Sequence, residues 1–231
     1  MSYRLPDEAA LALMTAADEV RAGRFDHRAR GQGLDPFAVM GVDADAVPPE
    51  LMPDWMAQLI AALGSALDRR HWAQFLDSLA WAGQEWRALD EAAWTRVRMG
   101  FQAQAVGHAL AFATPLQPDP APRYWREIAP LAHALLAAFS SDGDVRGAAA
   151  ELECWSIPEG YDLWAQENAT YEAEWAAKCL ADAGFGAGQN DAWTEGGMVD
   201  HITAGDSSAG QPLSRALFQQ LSIAISAAKW G

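Results

Sequence analysis

The chain has 231 residues, 51% of them hydrophobic and 20% charged, which supports a sizeable core and excludes wholesale disorder. Its net charge of −15 repels nucleic acid and anionic lipid, so neither is an expected partner. No apolar run reaches the roughly 18 residues of a membrane span, and the N-terminus has neither a basic region nor an apolar stretch. The expectation is therefore no span, no secretory signal and a cytoplasmic location.

Helical periodicity dominates the chain. A first helix is predicted over 7–22, with Asp7 and Glu8 in the first turn, where the helix dipole favours acids. An irregular stretch over 24–49 follows, rich in glycine. A helix then starts near Asp54, with Trp55, Leu59, Ile60, Leu63 and Leu67 at spacings of three and four. Asp68 opens the next, which carries Trp72, Phe75, Leu76, Leu79 and Trp86 on one stripe. Asp90 is an N-cap for a fourth, with Trp94, Val97, Phe101 and Phe112. Four prolines over 114–122 stop it. Pro122 opens a fifth helix, interrupted by Pro130, and 140–144 read as a turn. A short helix to Trp155 comes next, then a longer one from Pro158 to Ala183 closed by Gly184. Residues 184–211 read as a loop rich in Gly, Ser and Asp, and a last helix runs from Pro212 to Lys229.

Alternation of the β type is nearly absent. The fold class is therefore all-α, an irregular helical bundle or array of about seven to eight helices with long loops at 24–49 and 184–211. One domain over 1–231 is expected, with 1–139 as a helical core and 140–231 as an acidic subdomain if it divides. Cys154 and Cys179 form no CxxC pair, and reduced thiols are expected.

The charge is local. Residues 140–210 hold 14 acids against only Arg146 and Lys178. That concentration points to an interaction module whose acidic face binds a basic protein partner, as an immunity-like or adaptor protein does. Glu167, Glu172 and Glu174 are the binding residues on this reading. Eleven tryptophans are present. Most fall on helix stripes and read as core, whereas Trp81, Trp155, Trp193 and Trp230 sit off-stripe or at element ends. Trp155 and Trp193 join the acidic residues as binding candidates.

Residues 142–153 resemble a calcium loop in spacing. Asp142 and Asp144 occupy positions 1 and 3, Gly147 position 6, and Glu153 the bidentate position 12. Arg146 at position 5 replaces a ligand with a cation. The favoured reading is a polar turn with Asp144 capping the next helix, so no cofactor is expected and Ca²⁺ stays as the alternative. The Gly205–Gly210 segment lacks the later His that a serine-nucleophile elbow needs, and it reads as a loop. Of His71, His108 and His133, only His108 lies on its helix's apolar side, about 20° from Val97 on a helical wheel. It is the best catalytic candidate and the centre of the alternative function, a tryptophan-lined pocket for a small molecule or substrate.

Overall fold

The computed structural model describes residues 3–25, 33–43, 46–141, 143–153, 155, 171–187, 189 and 194–230. They form an all-α array of ten helices, and no strand occurs among them. In chain order these are α1 (Asp7–Arg21), α2 (Pro36–Met40), α3 (Asp54–Ala66), α4 (Arg69–Glu85), α5 (Glu91–Ala113) and α6 (Arg123–Ser140). They continue with α7 (Val145–Glu153), α8 (Tyr171–Gly186), α9 (Thr194–Gly205) and α10 (Gly210–Trp230).

Local chemistry explains several of the starts. Asp90 caps α5 by accepting the Ala93 amide at 2.7 Å, satisfying one of the donors a helix end leaves open. Asp35 does the same for α2 through the Phe37 and Ala38 amides, and Pro36 occupies the first helical position, where its missing N–H costs nothing. Gly41 closes α2 in the left-handed conformation, with φ 71°. Thus 24–49 is not wholly irregular. It carries a pinned helical turn that buries Phe37 and Met40.

Two further boundaries differ from the sequence expectation. The expected loop over 184–211 contains α9, twelve residues long. Glycines at 196, 197 and 205 conceal it, because each weakens the intrinsic helical preference. Burial of Met198, Val199 and Ile202 against α3 and α8 overrides that preference. The second difference is Gly184, which does not end α8. It lies inside the helix, where an added Cβ would stand 2.5 Å from Leu152 Cδ1 of α7. Residues 158–170 of the expected longer helix lie outside the described residues.

Helix α1 packs on α4, and α10 lies against α5 and α4. Helix α9 is held between α3 and α8, and α7 bridges α6 and α8. One buried apolar cluster runs through all of these, from Leu5 and Phe37 to Leu152, Leu180, Leu217 and Ile225. It joins both parts of the chain on either side of residue 140. Close helix approach depends on Gly64, where a Cβ would stand 2.4 Å from the Leu34 carbonyl oxygen. The same backbone donates the Leu34 amide to Gly64 at 3.0 Å, tying the segment before α2 along α3.

Candidate functional site

Trp55 of α3 and Trp94 of α5 meet Tyr3, which precedes α1, and Trp86, which follows α4, in a cluster of four aromatic rings. Trp94 of α5 is the hub. Its ring centroid lies 5.6 Å from Tyr3, 6.1 Å from Trp55 and 6.0 Å from Trp86. The first two contacts are edge-to-face, the arrangement that sets the positive edge of one ring against the negative face of another. The Trp86 and Trp94 indole N–H groups are buried and have no hydrogen-bond partner among the described residues.

Beside this cluster opens a cleft of about 560 Å³. Tyr3, Trp55 and Trp94 form its aromatic wall, Arg98 and Gln102 line it from α5, and Arg146 reaches it from α7. Arg98 lies over the Trp55 ring at 5.8 Å, within cation–π range. Its guanidinium grips Glu195 in the first turn of α9. Nε donates to Oε1, and Nη2 donates to Oε2 at 3.1 Å. Gln102 adds a third bond, its amide donating to Oε1 at 2.7 Å. Glu195 is 0% exposed and sits in the first turn of α9, where the helix dipole favours an acid. The network clamps α5 to α9 and holds one side of the cleft rigid. Sequence reasoning did not find Arg98 or Glu195 as partners, since 97 positions separate them.

His108 sits elsewhere, toward the other half of α5, and is half-buried. Its Nε2 lies 3.0 Å from Asp206 Oδ2, in the turn between α9 and α10. The other Asp206 oxygen accepts the Ser208 amide at 2.9 Å and the Ser208 hydroxyl at 2.6 Å. The described lining of the tryptophan-walled cleft does not include His108. Burial works to raise the Asp206 pKa. The bonds from Ser208 and the contact with His108 outweigh it and hold the carboxyl below its ordinary value. A depressed carboxylate stabilises the fold fully above the unfolded value of about 3.9 and loses that stabilisation as pH falls through the lower folded value. Asp206→Asn should therefore flatten the fall in urea midpoint on acidification from about pH 5 to pH 2, relative to the unmodified chain. An unchanged slope would remove Asp206 as a contributor. Asp200 works in the opposite sense, since burial raises its pKa, so the comparison is made variant against parent.

The remaining candidates scatter. Trp155 is half-buried beside Phe185, Lys178 and Asp182. Glu172 is exposed, whereas Glu174 is only 5% exposed and so is not on an open face. Trp81 and Trp230 are exposed, the latter 87%. Trp193, Glu167 and Asp142 lie outside the described residues. Asp144 accepts the Gly147 amide at 2.8 Å and so caps α7. From Val145 onward the calcium-like segment is helix, ending at exposed Glu153, and does not wrap as a loop. Among the described residues no group of three His, Cys, Asp or Glu side chains gathers for a metal. No helix among them is long and apolar enough to cross a membrane. The Cys179 thiol is pushed up to about 11 by burial and by Asp182, against the opposing charge of Lys178.

No family model, curated protein or solved structure matches the chain.

Proposed function

We propose that this protein binds a small planar organic molecule in the cleft walled by Tyr3, Trp55 and Trp94. The observation that carries the reading is an aromatic wall beside a clamped arginine, in a cleft of about 560 Å³. Ligand pockets ordinarily span about 300–1,000 Å³, mostly apolar with a few convergent polar groups. The Arg98–Glu195 pair supports the same reading, because a guanidinium that is bonded and stacked keeps the Trp55 ring in place before a ligand arrives, which lowers the ordering penalty of binding. Exposed Glu91 and Arg146 bring opposite charges to the cleft and would sort ligands by their substituents. The described lining offers Thr95, Gln102 and Gln189 as uncharged polar groups and no histidine or cysteine, which favours binding over turnover.

This reading is preferred to an acidic docking face. Three of the acids between 140 and 210, Glu174, Glu195 and Asp206, are buried, so the local charge is partly internal.

Titration calorimetry with indole-3-acetate, benzoate and tyramine tests the proposal. At least one should bind saturably. Thr95→Trp places a large ring in the cleft from an exposed position and should weaken that binding by about tenfold or more, equivalent to about 1.4 kcal/mol. Failure of all three probes, or equal binding by the Thr95→Trp variant, would sink it.

A further inference from the structure

Helices α4 and α10 run side by side in the same direction. Gly210 abuts the Ala66 carbonyl just before α4, Phe218 meets Phe75 at 5.6 Å, and Lys229 pairs with Glu85 at 2.6 Å. Between them lies a small pocket of about 140 Å³. Its polar lining comes at helical spacing from both walls, as His71, Gln74 and Ser78 on α4 and Gln211, Ser214 and Arg215 on α10. Phe75 and Phe218 make its floor.

Two features set this pocket apart from the rest of the surface. The first is charge. Acids outnumber bases by 31 to 16 in this chain, yet no carboxylate is among the pocket's described lining residues, and Arg215 has no ion-pair partner among the described residues. The second is Ser214. Thr15, Thr95, Thr114, Ser140, Ser141 and Thr203 donate their hydroxyls to the carbonyl four residues earlier, whereas Ser214 and Ser78, both at this pocket, do not. Ser214 is 7% exposed and makes no such bond, nor any other among the described residues. Its oxygen is not among the fully enclosed unpaired atoms, so at the pocket it remains open to a bound group or to solvent. Here it lines a pocket whose other polar groups can all donate hydrogen bonds.

We infer that the α4–α10 pocket is a binding site for a small oxyanion, a phosphate or carboxylate group, taken by Arg215 with Ser214, Gln211, Gln74 and His71 as further donors. Arg215 supplies the charge and the fork geometry suited to two oxygens. The volume admits a group of about half a dozen non-hydrogen atoms and excludes a nucleotide. The site is separate from the aromatic cleft and stands or falls independently of it.

Inorganic phosphate and acetate are titrated against the full chain, with sodium chloride at matched ionic strength as the control, and thermal unfolding is the readout. One of the two oxyanions should raise the melting temperature saturably, and which one does so identifies the group. Arg215→Gln, a change at an exposed position, should abolish the rise. Ser214→Ala should weaken apparent affinity by about tenfold, and Thr95→Trp should leave it unchanged. The inference is overturned if neither oxyanion exceeds chloride, or if Arg215→Gln responds as the parent does.

Discussion

Glu195→Ala should destabilise the protein by about 3–5 kcal/mol, the range for removing one partner of a buried ion pair. The reason is not the lost attraction alone. Arg98 is largely buried, with 17% of its side chain exposed, and without the carboxylate its charge stays in a poorly solvated place. The Gln102 amide loses its acceptor as well. Against a typical total of about 5–15 kcal/mol, this single change removes a large share of the stability. Glu195→Gln should fall between the two, since an amide keeps one acceptor but turns its N–H₂ toward an arginine donor. Arg98→Met combined with Glu195→Met should cost less than the sum of the two single changes, with a coupling of about 0.5–3 kcal/mol. Urea denaturation of the four proteins gives the cycle. Additive losses would show that the two side chains do not act as a pair.

Trp94→Ala should destabilise by a similar amount, about 3–5 kcal/mol, the usual range for deleting a buried aromatic side chain. Trp94 is almost wholly buried and touches the rings of Tyr3, Trp55 and Trp86. Its loss removes three ring contacts worth about 0.5–1.5 kcal/mol each beyond the area term. Trp94→Phe separates packing from polarity. It keeps a ring but deletes an indole N–H that has no hydrogen-bond partner among the described residues, so it should cost less than half as much as the alanine change. Guanidinium denaturation provides the measurement. Equal losses for Phe and Ala would mean that the N–H has a bonding role after all.

The residues explain why some of this structure was legible and some was not. The stripe from Trp55 to Leu67 and the cap at Asp90 could be read directly, because helical spacing and capping are local and involve side chains within a turn or so of one another. Helix α2 carried the same kind of signal in Asp35-Pro36 and Gly41, inside a segment that otherwise reads as irregular. Helix α9 carried the opposite signal. Its glycines argue against a helix locally, yet Gly205 lets the end of the helix approach α8, where a Cβ would lie 3.2 Å from the Cys179 Cβ. A residue that weakens a helix in isolation can thus favour its packing. His108 shows the limit of the wheel. Its position on α5 indicated an inward face, but the partner that defines its chemistry, Asp206, comes from a turn 98 residues later.

The amino-acid sequence by itself determined the all-α class, most helix starts, the tryptophan stripes and the concentration of acids between 140 and 210. Each follows from spacing within one element or from composition. Tertiary structure alone decided that three of those acids are buried, that Glu195 meets Arg98, that Tyr3, Trp55 and Trp94 wall one cleft, and that Arg215 faces His71 across another. Which helices meet depends on many weak packing contacts summed over the whole core, and no local period in the chain encodes that sum.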